Sequence, residues 1–340
     1  MRLQDEVQRL QREVTDRRLS YEKLAEHRDC DKFIRHYTGL SNVTFLALHG
    51  LCDRFEIKNF FDWKVIAISR KDQLLLTLMK LRLNLSYIDL GVRFNLSDRT
   101  VSNIVNTWIS VLDEVLVKGM MGNKIPSVAK NQLCLPGSFH NFSNCRIVLD
   151  CTEVQCAQVR DDMSVQKETF SNYKSRNTFK ALVGVAPNGV ITYVSNLYPG
   201  SRSDKAIVQH CGILNQLAPG DLVLADKGFL IHDIMPQGVS VNLPPFLMKP
   251  QFTECEAKFT VKIAKARIHV ERAIGRIKDY AILSFIDNHL RPMASSVFKI
   301  CSALVNLQTL SCRRLLKSWT KCTMSWILAS DSNKSCLRLE

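Results

Sequence analysis

The chain has 340 residues, with a hydrophobic fraction of 46% and a charged fraction of 23%, which are ordinary values for a globular protein. Its formal net charge of +14 is not ordinary, and it favours a polyanionic partner, of which nucleic acid is the commonest. No apolar run approaches the length that crosses a bilayer, so we expect no membrane association.

The cysteines do not form a recognisable metal or disulfide pattern. All 12 are spread along the chain, and no Cys-x-x-Cys pair occurs among them. Zinc ligands would need such clusters of cysteine and histidine. We therefore expect mostly buried free thiols in a reducing intracellular compartment.

Residues 1–29 predict a coiled-coil-like helix. The apolar positions with the spacing of a coiled-coil seam are Leu3, Val7, Leu10, Val14, Tyr21 and Leu24. Arg17 interrupts this series. Two interpretations stay open, namely a helix that joins two copies into a homo-oligomer and an amphipathic helix that packs on its own domain. Residues 30–69 predict a helical satellite segment without recognisable chemistry.

Residues 70–118 have the pattern of a helix-turn-helix. Leucines repeat at helical spacing from Lys71 to Leu83, and a short helix follows with Ile88 and Val92 on one face. Ser97 is a good N-cap for a third helix. A short helix, a tight turn and a capped helix are the parts of a DNA-binding helix-turn-helix.

The third helix carries polar side chains that can meet phosphates or base edges. The candidate DNA-binding residues on it are Arg99, Thr100, Ser102 and Asn103. An ordinary three-helix bundle is the alternative interpretation. Residues 119–144, with several prolines and glycines among polar residues, predict a linker.

From residue 145 the pattern changes to strands. Ile147-Val148-Leu149 is a short apolar run that ends at Asp150, and a second run ends at Asp226. Between them, Asn188-Gly189 separates two β-rich runs and predicts a hairpin. The order predicts a mixed α/β layer fold like that of RNase H-like domains. Its first and fourth strands would be parallel neighbours, so Asp150 and Asp226 would face each other across one crevice.

A long basic helix is predicted to complete the site. Seven Lys or Arg residues and one acid, Glu271, lie between Lys258 and Lys278. The predicted DNA-binding residues of its basic face are Lys258, Lys262, Lys265, Arg272 and Arg276, with His269 among them. An apolar stripe would dock on the sheet. Glu271 falls beside that stripe, where it can reach the crevice.

Three carboxylates are the ligands that hard divalent cations prefer. Asp150, Asp226 and Glu271 are therefore candidates both for catalysis and for binding two Mg²⁺ or Mn²⁺ ions that promote phosphoryl transfer. Each acid also has an ordinary explanation: Asp150 could cap a loop, Asp226 could lie in a turn, and Glu271 could pair locally with a basic residue. The three together favour the functional interpretation.

Four motifs occur in the order found in one family. They are Leu-Asp-Cys-Thr-Glu-Val (149–154), Tyr-Pro-Gly-Ser-Arg-Ser-Asp-Lys (198–205), Leu-Ala-Asp-Lys-Gly-Phe (224–229) and Ala-Arg-Ile-His-Val-Glu-Arg-Ala-Ile-Gly-Arg-Ile-Lys (266–278). This set resembles the DDE endonuclease domain of PIF/Harbinger-type transposases, placed here at residues 145–316. The upstream segment resembles the helix-turn-helix that often precedes it.

The resemblance implies an RNase H-like fold, a divalent metal, DNA cleavage with strand transfer, and a nuclear location. It places the catalytic triad on Asp150, Asp226 and Glu271, with an auxiliary role for Asp204. Relatives often carry a zinc-finger domain ahead of the coiled coil, and residues 1–340 contain no such motif; the tail at 317–340 matches nothing. The alternative function is a domesticated DNA-binding regulator that keeps the transposase fold without turnover.

Overall fold

The structure is a computed structural model, and it describes residues 6, 18–159, 162–226, 228–242 and 254–308, with side chains only from residue 260 in the last range. The chain divides into two compact units, the first up to Val115 together with Leu307 onwards, and the second from Leu116 to Asn306. Within the described ranges, no helix is long and apolar enough to cross a membrane.

Helices build the described part of the first unit. They are α1 (Tyr21–Glu26), α2 (Cys30–Thr38), α3 (Asn42–Cys52), α4 (Arg70–Leu83), α5 (Tyr87–Phe94) and α6 (Asp98–Leu112). Five of them begin after a serine whose Oγ accepts a backbone N–H of the first turn, which satisfies a donor that the helix itself leaves unpaired. These serines are Ser20, Ser41, Ser69, Ser86 and Ser97.

The central helix of the first unit is α4, which is buried almost throughout. Its Gln73 lies inside the unit, where its Oε1 accepts a hydrogen bond from Trp108 Nε1 of α6 at 3.0 Å. Trp108 is itself fully buried. The pair thus ties α6 to α4 and satisfies two polar groups that would otherwise be costly to bury.

The turn between α5 and α6 is tight. Asn95 adopts a left-handed conformation with φ of 52°, and the backbone N–H of Leu96 donates to Gly91 O at 2.8 Å. Ile88 and Val92 share one face of α5 as expected, but that face is exposed. The helix packs instead through residues on its other side, because only those reach α6.

The predicted coiled-coil seam falls mostly outside the described residues, since Leu3, Val7, Leu10 and Val14 are among those not described. Tyr21 and Leu24 are described, and both are buried in the first unit. The ring of Tyr21 stacks on Phe45 with centroids 5.1 Å apart. These two apolar side chains therefore pack on their own domain.

The second unit begins with helical turns and continues into a mixed α/β layer. Its described elements are a π-helical segment (Asp113–Met121), α7 (Val128–Gln132), a 3₁₀ turn (Gly137–Phe142), β1 (Cys145–Gln155), α8 (Met163–Thr169), β2 (Phe170–Ser171), β3 (Arg176–Val185), β4 (Ile191–Val194), β5 (Tyr198–Pro199), α9 (Asp204–His210), β6 (Leu222–Leu224), β7 (Ser240–Asn242), α10 (Glu254–Lys278) and α11 (Ala294–Gln308), with further 3₁₀ turns at Ile213–Gln216, His232–Ile234, Ala281–Leu283 and Asn288–Met293.

The segment 119–144 differs from the linker that its composition predicted. Phe139 and Phe142 are buried, and the Asn131 side chain donates to the backbone oxygens of Cys145 and Arg146 at 3.2 and 2.9 Å. Prolines and glycines here shape short helical turns that pack beside β1. The segment therefore belongs to the second unit.

β1 lies centrally in the sheet, with β3 antiparallel on one side and β6 parallel on the other. This confirms the predicted neighbours and the RNase H-like α/β class. β1 also continues past Asp150 to Gln155, because β3 pairs along its whole second half. Asp150 therefore lies in the middle of the strand, just beyond the pairing with β6.

The two faces of the sheet pack against different helices. Ile147, Leu149 and Val223 point into a core that also contains Ile207 and Val208 of α9. Successive residues of a strand point to opposite faces. Val148 and Asp150 therefore point to the other face, where α10 packs on β1 and β3. The apolar stripe of α10 is buried as predicted: Ile263, Val270, Ile274 and Ile277.

Two glycines in helices of the first unit offer a matched test of packing. A Cβ on Gly91 would lie 2.6 Å from Leu96 O, whereas a Cβ on Gly50 would meet no atom within 4 Å. We expect Gly91→Ala to lower the free energy of unfolding by about 1–3 kcal/mol and Gly50→Ala to raise it by about 0.5–1 kcal/mol. Urea unfolding followed by circular dichroism measures both. Equal effects would contradict the tight turn.

Candidate active site

The sheet brings Asp150 and Asp226 to the same edge and the same face. Val148 of β1 pairs with Leu224 of β6, so two further residues along each parallel strand lead to Asp150 and Asp226. Neighbouring strands lie about 4.8 Å apart. Two residues that are 226 − 150 = 76 positions apart in sequence thus become neighbours in space.

Arg267 of α10 joins the second and third acids. Its Nη1 donates to Asp226 Oδ1 at 2.9 Å, and its Nη2 lies 3.7 Å from Glu271 Oε1. The side chain of Arg267 is 11% exposed, while those of Asp226 and Glu271 are 50% and 56% exposed. Glu271 therefore does form a local ion pair, which is the ordinary explanation given for it above. The same guanidinium lies closer to Asp226.

Asp150 lies deeper than the other two acids. Burial raises the pKa of its carboxyl group to about 6, the Arg267 guanidinium opposes this, and the Asp226 carboxylate adds to it. The buried carboxylate is thus costly to ionise in the protein alone. A group of this kind, next to a second acid, marks a place where added positive charge is favoured.

A second charged cluster surrounds Lys180, and among its members only Asp204 had been given a role, an auxiliary one implied by the resemblance. Lys180 Nζ of β3 lies 3.6 Å from Glu153 Oε1 and 3.3 Å from Asp204 Oδ1. Glu153 also accepts a hydrogen bond from Thr178 Oγ1 at 2.8 Å. Glu153 was visible in the first motif, but its partner Lys180 comes from another strand, so only the β1–β3 register reveals the pair.

The basic face of α10 is partly where it was predicted. Lys262, Lys265 and Arg272 are exposed, and Arg276 is half-buried. The side chain of Lys258 lies outside the described residues. His269 leaves this face, because it packs near Phe139 and lies 3.4 Å from Ser138 Oγ.

The candidate residues of the helix-turn-helix divide into exposed and buried ones. Arg99 is exposed, Ser102 is half-buried, and Thr100 is half-buried with its Oγ1 2.8 Å from Ser97 Oγ. Asn103 is fully buried and hydrogen-bonds the backbone of another segment, so its prediction as a DNA contact is wrong.

Two family models match parts of the chain. Residues 149–306 match the family described as DDE superfamily endonuclease, and residues 67–118 match the helix-turn-helix of DDE superfamily endonuclease. Residues 149–306 are therefore similar to a DDE endonuclease domain. The helix-turn-helix prediction is confirmed. A comparison with curated proteins gives no match.

DDE endonucleases typically use divalent metal ions, so the side chains at this site should include ligands for such an ion. Asp150, Asp226 and Glu271 offer carboxylate oxygens, which suit Mg²⁺ and Mn²⁺. In the described part of the chain, no group of three Asp, Glu, His or Cys residues is close enough to hold a metal ion. The chemistry of the donors fits the metal, whereas Arg267 supplies the positive charge between the outer two acids.

The raised pKa of Asp150 predicts a pH-dependent stability of the DDE domain. The folded chain binds this proton more tightly than the unfolded chain, so the stabilisation is full below the unfolded pKa near 4 and is lost as pH rises through about 6. An asparagine at this position would be neutral at every pH. We therefore expect Asp150→Asn to be more stable than wild type at pH 7.5, by on the order of 2 kcal/mol, and similar near pH 4.5.

Urea unfolding of both proteins in EDTA, at the two pH values, measures this difference. A stability difference of the same size at both pH values would show that the substitution acts through packing and that Asp150 ionises normally.

Proposed function

We propose that the chain is a PIF/Harbinger-type transposase endonuclease that cleaves DNA, and joins strands, by two-metal-ion phosphoryl transfer. The observation that carries the proposal is the pairing of β1 with β6 within a DDE endonuclease domain, which makes Asp150 and Asp226 neighbours on the face covered by α10. Glu271 completes the set from that helix.

The proposed mechanism assigns each acid a separate task. Asp150, Asp226 and Glu271 would hold the metal ions, and Arg267 orients the last two through its guanidinium. Activation of a water or 3′-hydroxyl nucleophile and stabilisation of the leaving oxygen are the chemistry that a bound pair of Mg²⁺ or Mn²⁺ ions supplies. Asp150 is half-buried, so water screens its carboxylate less and its attraction to positive charge is stronger than at the surface.

Two basic surfaces would hold the DNA. Lys262, Lys265 and Arg272 are exposed on α10 and suit the phosphate backbone. Arg99 is exposed in the first turn of α6, the second helix of the helix-turn-helix, where base or phosphate contacts are made. A nuclear location is part of the proposal, because the proposed substrate is DNA. A homo-oligomer joined through the apolar seam predicted at Leu3, Val7, Leu10 and Val14 is also part of it.

A second candidate function is the domesticated DNA-binding regulator without turnover. The observation that favours it is the guanidinium of Arg267 between Asp226 and Glu271, in a site where the described residues offer no three-residue metal group. Both functions require DNA binding. Only the first requires metal-dependent cleavage.

Cleavage of plasmid DNA with Mg²⁺ or Mn²⁺ separates the two functions. We expect wild type to cut and Asp226→Asn to be slower by on the order of 100-fold or more, because the amide keeps the shape but removes the charge that binds the metal. Asp233→Asn is the matched control, since Asp233 is exposed and pairs only on the surface with Lys205. It should cut like wild type.

Wild type that binds DNA without cutting it, in either metal, would refute the nuclease and favour the regulator. Equal loss in Asp226→Asn and Asp233→Asn would show that the loss does not come from the proposed site.

The helix-turn-helix predicts a separate change in DNA affinity. We expect Arg99→Ala to weaken duplex binding about tenfold and to reduce the salt slope of binding by about one, because one cation no longer displaces a counterion. Arg35→Ala removes the same charge from an exposed pair with Asp31 and should change neither. Fluorescence anisotropy over a range of salt concentrations measures both; identical curves for the two variants would exclude Arg99 as a contact.

A further inference from the structure

An aromatic loop, residues 59–64, lies exposed on the first unit. Phe60, Phe61 and Trp63 are 52%, 46% and 38% exposed, and the rings of Phe60 and Phe61 meet edge to face with centroids 5.0 Å apart. Single exposed apolar residues are common on protein surfaces, but three aromatic rings within four residues form a patch. The exposed part of each ring contributes no burial to the fold.

The backbone of the aromatic loop is held by α6. The N–H of Phe60 donates to Thr107 Oγ1 at 2.9 Å, and that of Phe61 donates to Asn103 Oδ1 at 3.2 Å. Asn103 Nδ2 in turn donates to Trp63 O at 3.1 Å. Two polar side chains of α6, those of Thr107 and Asn103, thus hold the backbone of this loop. Asn103 is the residue that the sequence analysis predicted to contact DNA.

The segment after the loop is held in the same way. Gln73 Nε2 of α4 donates to Val65 O at 3.3 Å and to Ile68 O at 3.2 Å. Buried side chains of two helices therefore position a loop whose rings remain in water. A loop fixed before binding loses little conformational entropy when its side chains meet a partner.

The loop lies on the same side of α6 as Arg99. Asn103 follows Arg99 by four residues, so the two lie one turn apart on one face of the helix. The loop covers that face at Asn103 and leaves Arg99 exposed in the first turn. Lys58 and Lys64, which flank the rings, are exposed as well.

We propose that the aromatic loop is a second DNA contact of this unit. Phe60 and Phe61 contact the bases of duplex DNA, as apolar wedges do at a base step, and Lys58 and Lys64 contact the phosphates. The inference rests on the proposed function only in taking duplex DNA as the partner. The loop lies outside the range that matches the helix-turn-helix family, residues 67–118.

Position favours DNA over a protein as the partner. The rings lie between two exposed lysines, Lys58 and Lys64, with the exposed acid Asp62 among them, and on the same helix face as Arg99. An apolar surface for a protein partner would not need this alignment with the first turn of α6. Stacking on aromatic side chains is also tolerant of sequence, which suits a contact beside a base-reading helix.

The test compares duplex binding by the full chain in EDTA, where no cleavage can occur. The double variant Phe60→Ser with Phe61→Ser should bind a 30-base-pair duplex of mixed sequence at least about tenfold more weakly, with the salt slope unchanged, because the lost contacts carry no charge. The matched control is Val43→Ser with Leu46→Ser, which removes another exposed apolar pair from the same unit, on α3 and outside the helix-turn-helix. It should bind like wild type.

Lys58→Ala with Lys64→Ala should instead lower the salt slope by about two. Melting curves of each variant verify that it is folded. If the phenylalanine variant binds like wild type while Arg99→Ala weakens binding, the inference is overturned and the rings belong to a protein contact. If wild type binds no duplex, both the inference and the proposed DNA function fail; if it binds but never cuts in metal, only the nuclease fails.

Discussion

The Arg267 guanidinium and the acids around it are the interaction on which the candidate site depends. Asp150 and Asp226 are neighbours on the sheet and Glu271 lies on α10, so their carboxylates repel one another, and a cation beside two of them offsets part of that repulsion. Arg267 provides it for Asp226 and Glu271, while Asp150, buried beneath them, is left with a raised pKa. If Asp226 and Glu271 hold a metal ion as proposed, the same cation competes with that ion for both acids. Under that proposal, the affinity for metal and the stability of the domain are coupled through one side chain.

The sheet explains why these groups meet. β1 pairs with β6 only up to Val148 and Leu224. Beyond these residues the two strands follow different paths. β1 continues along β3, while the chain leaves the sheet after β6. An opening forms where a strand loses one neighbour and keeps the other. Asp150 lies at that opening, which gives a carboxylate on a central strand access to the surface.

Much of this arrangement follows from sequence pattern, and the exceptions share one cause. Apolar runs located β1 and β6, and helical spacing located the buried stripe of α10. Asn103 was misjudged because helical periodicity directs it outwards, whereas a loop forty residues earlier covers it. Lys180 was missed because its partner Glu153 lies on another strand. Periodicity describes one element at a time, so contacts between distant segments need the folded chain.

The parallel pairing of β1 with β6 has a consequence for when the proposed site can form during synthesis of the chain. A ribosome releases Asp150 first, then Asp226, and Glu271 with Arg267 only after a further 271 − 226 = 45 residues. Parallel strands also close slowly, since a long connection must be ordered before they gain contacts. A growing polypeptide thus holds its acids apart until the domain is nearly complete. The order of synthesis thus delays assembly of the proposed cleavage site until most of the domain has been made.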